Sequence, residues 1–184
     1  SVRSILTEAA DILTIDMTNY ASVTGLTSNL STNVVTVSNL VATDTVNIVG
    51  NGSITNGNTN LGYTATTTSG EFTVDGDTTG GTVAVTGAAL TTLTINSTGG
   101  TNVLTGVTSA ATTEDVVINA TTNLDLGTGI SAIAAATGNS VTVSGAATSV
   151  DLGSSAVDAD IDTIDASGLT AGGIIATQNS VTAV

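Results

Sequence analysis

Hydrophobic and polar residues alternate with a period of two along most of this chain. In "DILTIDM", Leu13, Ile15 and Met17 fall on one side of an extended strand, and the intervening residues fall on the other. Similar runs, bounded by Gly, Asn, Asp or Ser, are "NVVTVSN", "DTVNIVGN", "GEFTVDGD", "GTVAVTGA", "TTLTINST", "EDVVINAT" and "NSVTVSGA". This pattern predicts short β-strands, and the best helical candidate is "SILTEAADIL" near the start.

The strand-like runs fall into two interleaved series whose successive members lie about twenty residues apart. One series runs from "ILTID" at Ile12 to "DTIDA" at Asp162, and the other runs from "VTGL" at Val23 to "IIAT" at Ile174. Recurrence at this period is typical of stacked repeats. We therefore predict an all-β fold, a narrow parallel β-solenoid of about eight degenerate coils of about 20 residues each. Residues 1–184 would form a single module, a fragment or repeat unit of a longer surface protein.

A β-sandwich, as in a pilin-like subunit with a donated strand, is the alternative fold, because it also uses many short strands. The pairing of Val35 distinguishes the two folds. A parallel partner about twenty residues away indicates a solenoid, whereas an antiparallel near neighbour indicates a sandwich.

Composition predicts a thin, aliphatic core. The chain has 39 Thr, no Pro, no Cys and no Trp, and its aromatic residues are one Phe and two Tyr. Large aromatic side chains usually fill a wide core, so a core of Val, Ile, Leu and Ala suits a narrow solenoid. The absence of Pro fits a backbone that is hydrogen-bonded along most of its length.

The chain is strongly acidic, with a formal net charge of −14, and its single basic residue is Arg3. Such a surface repels phosphate backbones and anionic headgroups, so we predict no nucleic-acid binding and no membrane insertion, whereas divalent cations are attracted. The chain does not begin with Met and shows no signal peptide, and we interpret it as a processed piece of a longer product.

The side chains that most enzymes need are missing. Without His, Cys or Lys, the chain excludes Ser-His-Asp and Cys-His catalysis and zinc sites with nitrogen or sulfur ligands. Glycoside hydrolysis by a carboxylate pair is the remaining chemistry. The candidate pair is Asp75 with Asp77, or two members of the Asp158–Asp165 cluster. Because a glycan cleft normally carries aromatic platforms, we predict a protein with no enzymatic activity, no catalytic residues and no small-molecule substrate.

Six aspartates are candidate calcium ligands, in two groups: Asp158, Asp160, Asp162 and Asp165 in "AVDADIDTIDASGL", and Asp75 and Asp77 in "DGD". In a strand, the first three would share one face and would repel one another unless a cation lay among them. The spacing from Ile161 to Ile164 indicates instead a solvated corner between two strands. "DGD" is typical of a turn.

Two other features of the chain suggest surface chemistry. Sequons for N-glycosylation begin at Asn29, Asn51, Asn96 and Asn119. The high Thr content also suggests an ice-binding face, but T-x-T triplets such as Thr92/Thr94 are sporadic.

Three stretches carry a family resemblance: "LTTLTINSTGGTNVLTGVTSA", "NSVTVSGAATSVDLG" and "TIDASGLTAGG". In composition and style, they and most of the chain resemble the Thr/Ala/Gly/Asp-rich surface-layer proteins and type I-secreted, RTX-like adhesins of Gram-negative bacteria. The resemblance implies export, a β-solenoid, calcium-dependent assembly and a structural or adhesive role. The diagnostic G-G-x-G-x-D nonapeptide is absent, which weakens the implied calcium roll within this segment.

The expected function is that of an extracellular structural protein of the cell surface. It would self-associate into a surface layer or filament by end-to-end stacking or strand exchange. Alternatives are an adhesin stalk or passenger that binds a host or matrix ligand and, further from the pattern, an ice-binding or glycan-hydrolysing β-helix.

Overall fold

The fold is that of a computed structural model, which describes residues 4–153 and 158–176. Within these residues there are eighteen β-strands, one 3-10 helix (Met17–Tyr20) and no α-helix. The helical candidate near the start is wrong, because Ser4–Thr7 forms a strand.

The strands form three sheets. Sheet A contains β1 (Ser4–Thr7), β3 (Gly25–Asn29), β5 (Thr45–Val49), β7 (Ser69–Asp75), β9 (Thr92–Thr98), β12 (Asp115–Ala120), β15 (Ser140–Gly145) and β17 (Thr163–Leu169). Sheet B contains β2 (Leu13–Asp16), β4 (Val35–Leu40), β6 (Thr59–Tyr63), β8 (Thr82–Thr86), β11 (Gly106–Thr108) and β14 (Ile130–Ser131). Sheet C contains β10 (Asn102–Val103), β13 (Leu124–Asp125), β16 (Ser149–Asp151) and β18 (Gly173–Ile175).

The chain is a narrow parallel β-solenoid, as predicted. Val35 of β4 pairs in parallel with Leu13 on one side and with Thr59 on the other. These partners lie 22 and 24 residues away, which is the solenoid pattern and not that of a sandwich. The eight strands of sheet A delimit about seven turns.

Coil length varies more than the repeat spacing indicated. The step between paired residues is 20 from Leu26 to Val46 and 26 from Val46 to Phe72. Consequently, each of the two predicted series of strand-like runs passes from one sheet to another along the chain. The first series begins in sheet B at β2 and continues in sheet A at β7. The short strands of sheet C, which begin at Asn102, add a third side to the later coils.

The core is thin and aliphatic, as composition predicted. In β9 the side chains alternate between half-buried and buried, and Leu93 and Ile95 are 0% exposed. Phe72 is the largest fully buried side chain. Alternation with one buried face therefore accounts for the packing of the long strands β7, β9 and β12 in sheet A.

Six corners that precede a strand of sheet A share a four-residue turn. In each, the N–H of the fourth residue donates to the carbonyl of the first. The pairs are Val23–Tyr20, Asp44–Val41, Thr67–Thr64, Leu90–Gly87, Thr113–Ala110 and Ile161–Asp158. The second residue is always an exposed alanine, at positions 21, 42, 65, 88, 111 and 159. From Ala21 to Ala111 this alanine recurs every 21 to 23 residues, whereas the corner before β15 lacks the turn.

Candidate functional site

The aspartates that begin the later acidic group lie in a corner and not on one strand face. The turn Asp158–Ile161 closes with a 3.0 Å bond from Ile161 N–H to the Asp158 carbonyl, and β17 begins two residues later. The corner interpretation is therefore confirmed, and the alternative of three aspartates on one strand is wrong. In a turn, successive side chains do not alternate between two faces as they do in a strand, so Asp158 and Asp160 need not point the same way.

Two carboxylates of this group bind backbone groups of the coil before them. Asp158 accepts from Ile133 N–H at 3.1 Å, and Asp162 accepts from Gly138 N–H. Asp165 accepts from Ser167 N–H at 2.8 Å, and hydrogen bonds from Ser167 hold the pKa of Asp165 below its ordinary value. The carbonyl of Asp160 accepts from the Asn139 amide at 2.9 Å. Part of the acidic group thus holds two coils together.

The earlier candidates, Asp75 and Asp77, flank a turn as predicted. β7 ends at Asp75, and Gly76 and Asp77 both have positive φ, 67° and 64°. Asp75 accepts from Thr98 Oγ1 at 3.0 Å, and Asp77 accepts from Thr101 N–H at 2.8 Å. Within residues 4–153 and 158–176, no group of three acidic side chains could hold a metal ion. Calcium binding at the six aspartates stays a prediction.

Two of the four sequon asparagines belong to a polar ladder on the outer face of sheet A. Asn119 Nδ2 donates to Asn96 Oδ1 at 3.0 Å, and Asn96 Nδ2 donates to Glu71 Oε1 at 2.8 Å. Ser144 extends the ladder by donating to Asn119 Oδ1 at 3.0 Å. The ladder links four successive coils and already engages the amide nitrogens that glycosylation would need.

The other two sequon asparagines lie apart. Asn29 Nδ2 donates to Glu8 Oε1 at 2.8 Å, whereas Asn51 is exposed in a turn, where its Oδ1 accepts from Ser53 N–H at 2.9 Å. Of the four, Asn51 therefore offers the most accessible acceptor for a glycan. Glycosylation itself stays a prediction.

A pocket of about 320 Å³ lies beside the first two corners of the solenoid. Its lining residues come from the 3-10 helix, the turns at Tyr20–Val23 and Val41–Asp44, and the ends of neighbouring strands: Met17, Thr18, Tyr20, Ala21, Val23, Thr24, Asn39, Val41, Thr43, Asp44 and Thr64. Tyr20 and Val41 are 44% and 42% exposed, which makes them two of the four large hydrophobic residues exposed in the described part of the chain. The other two aromatic residues, Tyr63 and Phe72, are buried.

Two irregularities of the coil form this pocket. The 3-10 helix lengthens the first corner, and the Asp16 carboxylate caps the helix by accepting from Thr18 N–H at 3.0 Å. In the next coil, Asn39 has a φ of 59° within an irregularity of β4, and its amide donates to Asp16 at 2.8 Å. The Asn39 amide is the main cause that lowers the pKa of Asp16. One carboxylate therefore holds both irregular segments in place.

Sequence reasoning missed this pocket, although the chain contains signals for it. Tyr20 stands in a polar corner between strands, where a core aromatic would not lie, and it begins the first of the recurring alanine turns. The segment between β2 and β3 is also longer than the next corner, between β4 and β5. These signals would have marked the first corner as atypical.

Comparisons with protein-family models, with curated proteins and with solved structures find no match to this chain. Among the described residues, no helix is long and apolar enough to cross a membrane. The case for a function therefore depends on the geometry and on the chemistry of the residues.

Proposed function

We propose that this chain is an extracellular structural protein that self-assembles into a surface layer or filament by stacking solenoid ends. The observation that carries the proposal is the open core of the last described coil. Its core-facing residues Ala166, Leu169 and Ile174 are only half-buried, whereas Val143 and Val150 of the coil before are 0% exposed. A further coil placed there would bury this apolar surface.

Backbone pairing at the ends supports the same proposal. Among the described strands, β1 and β17 each pair with one neighbour in sheet A, and β18 pairs with one neighbour in sheet C. An edge strand presents N–H and C=O groups that another chain can pair with. Because the described coils already pair in parallel with their neighbours, a second copy can continue the same ladder.

Exposed apolar residues and charge also favour contacts at the ends. Ile12 and Ile175, 73% and 55% exposed, lie in the first and last described coils. Charge opposes lateral contact between copies, since each chain carries −14 and repels its neighbours at low ionic strength. Stacking end to end keeps most of these charges apart, and calcium could reduce the remaining repulsion.

Assembly is tested by light scattering and negative-stain microscopy of the protein at rising concentration. Ile174→Asp places a charge on the open end and should abolish filaments, whereas Thr86→Asp adds the same charge to an exposed outer position of β8, in the middle of the rod, and should preserve them. Circular dichroism checks that both variants fold. Monodisperse monomer at every concentration, with and without calcium, would contradict the proposal.

A calcium-chelator arm separates two mechanisms of assembly. Filaments that dissolve on chelation indicate a metal bridge between copies, and the six candidate aspartates then become the residues to substitute. Filaments that persist indicate backbone pairing at the ends.

An adhesin that binds a host or matrix ligand is the second candidate function. The pocket beside Tyr20 favours it, because an exposed aromatic residue above a partly apolar cavity is typical of a recognition site. Tyr20→Ala should then abolish adhesion of the protein to its target surface and leave filament formation unchanged.

A further inference from the structure

The walls of the pocket beside Tyr20 are suited to an aliphatic chain. Met17, Ala21, Val23 and Val41 line it, and their side chains offer only hydrocarbon or thioether surface. A volume of about 320 Å³ is at the small end for ligand pockets, which favours a single side chain over a large molecule. The pocket is also held in shape before any ligand arrives, because the Asp16 carboxylate binds both irregular segments that form it.

The polar group that stands out in this pocket is a carboxylate. Asp44 is 6% exposed and occupies the buried fourth position of its turn, where Leu90 and Ile161 stand in later coils. Its Oδ2 accepts from Val41 N–H at 2.9 Å. The chain's single basic residue, Arg3, lies outside the described residues, so no described side chain can pair with this charge. A buried carboxylate that has no cationic partner among the described side chains favours a cationic ligand.

Tyr20 supplies a second group that attracts a cation. Tyr20 lines the pocket and is 44% exposed, and an ammonium group over a tyrosine face gains cation–π attraction. The net charge of −14 adds a long-range attraction for cations and a repulsion for anions.

We infer that this pocket binds the lysine side chain of a partner protein, with its aliphatic stem along the apolar walls and its ammonium between Asp44 and Tyr20. Lysine is favoured over arginine because Val41 N–H already occupies one oxygen of Asp44. A guanidinium binds a carboxylate best through both oxygens, and one of them is already occupied, whereas an ammonium acts as a compact point charge that needs one. The inference rests on the second proposed function, ligand binding by an adhesin, and is independent of filament assembly.

The test is a titration of the full chain with a short glycine peptide that carries one central lysine. Tyr20 and Tyr63 are the only tyrosines and there is no Trp. Tyr20 lines the pocket and Tyr63 is buried, so a change of intrinsic fluorescence on peptide binding reports on Tyr20. We expect a saturable change that weakens as salt is added. A matched peptide with norleucine, which keeps the stem and lacks the charge, should bind at least about tenfold more weakly.

Two variants with equal charge locate the site. Asp44→Asn should weaken binding at least about tenfold, whereas Asp165→Asn, an exposed position in the last described coil, should change it less than about twofold. If Asp44→Asn fails to fold, Ala21→Leu serves in its place, because Ala21 is exposed and a larger side chain there would fill the pocket. Ala21→Leu should fold normally and lose binding.

The outcomes separate the inference from the function on which it rests. Equal binding of the lysine and norleucine peptides, or equal effects of the two Asp→Asn variants, overturns the inference. A saturable response to a neutral trisaccharide with none to the lysine peptide also overturns it, but leaves ligand binding standing. No response to either probe counts against both.

Discussion

Asn102 is the residue whose replacement should destabilise the solenoid most clearly through hydrogen bonding. It is 0% exposed and begins β10, the first strand of sheet C. Its Oδ1 accepts from Thr78 N–H at 2.9 Å in the coil before. Its amide nitrogen lies within hydrogen-bonding distance of four oxygens: Val74 O at 3.2 Å, Ser97 Oγ at 2.9 Å, Thr98 O at 2.9 Å and Gly100 O at 3.2 Å.

The expected magnitude follows from counting what Asn102→Ala removes. An amide carries two hydrogens, so the nitrogen makes two full bonds at a time and the oxygen makes one. Three bonds at a net value of about 1 kcal/mol each give about 3 kcal/mol. Thr78 is itself 0% exposed, so its N–H would be left in the interior without this acceptor, which costs a further ~1 kcal/mol or more. We therefore expect a loss of about 3–5 kcal/mol in the free energy of unfolding.

Urea unfolding followed by circular dichroism measures this loss, with the slope checked for a change in the cooperativity of unfolding. Asn60→Ala is the matched control, because Asn60 is half-buried and its amide makes one bond, to Thr36 Oγ1 at 3.1 Å. The control should cost less than about 1 kcal/mol. Equal losses in the two variants would refute the reasoning.

Asn102→Asp separates hydrogen bonding from volume. The aspartate has nearly the same size and keeps an acceptor for Thr78 N–H, but it replaces the donor nitrogen with an oxygen that faces four other oxygens. At neutral pH it should destabilise the fold at least as much as alanine does. A near-native Asn102→Asp variant would show that the space occupied, and not the donor, matters at this site.

Three further predictions concern ionisation and backbone geometry. Burial raises the pKa of Tyr63 from 10.0 to about 12. The stability that the neutral phenol contributes is therefore complete below pH 10.0 and is lost as the pH rises through the folded-state pKa. Urea unfolding at alkaline pH measures this loss. The Asn39 amide lowers the pKa of Asp16 below 3.8. The stability that the ionised Asp16 contributes is therefore present above pH 3.8 and is lost as the pH falls. Asn39→Ala should raise the pKa of Asp16, measured by NMR titration, toward 3.8. Gly145→Ala should lower the free energy of unfolding by at least ~2 kcal/mol, because φ is 120° and a Cβ would meet a carbonyl of the neighbouring coil. Gly173→Ala is the control and should cost less, because a Cβ there would meet open space.

Each of these has an outcome that would count against it. Stability that stays constant through the alkaline range would contradict the shift at Tyr63. An unchanged pKa of Asp16 in Asn39→Ala would show that another donor dominates. Similar unfolding free energies for Gly145→Ala and Gly173→Ala would mean that the backbone at Gly145 can relax.

The candidate site shows which structural features a local sequence pattern can predict and which it cannot. The break in side-chain parity between Ile161 and Ile164 predicted the corner, because the change from strand to turn is encoded in neighbouring residues. Where the Asp158 and Asp162 carboxylates bind could not be predicted, since their partners Ile133 and Gly138 lie 25 and 24 residues earlier. The pocket depends in the same way on Asp16, which meets Asn39 only after the coils have stacked.

By itself, the sequence determined the long strands and the thin aliphatic core, and its repeat spacing favoured the parallel stacking that the pairing of Val35 confirms. Period-two alternation is a local property, and the absence of Trp and the scarcity of other aromatic residues limit how wide a core can be. Only the tertiary structure decided the register of each coil, the third sheet and the network around Asn102. Two-residue strands such as Asn102–Val103 carry no readable period. Because the step between coils varies from 20 to 26 residues, runs at a constant spacing in the sequence fall on different sides of the solenoid. Contacts between coils then select the register that buries the apolar face.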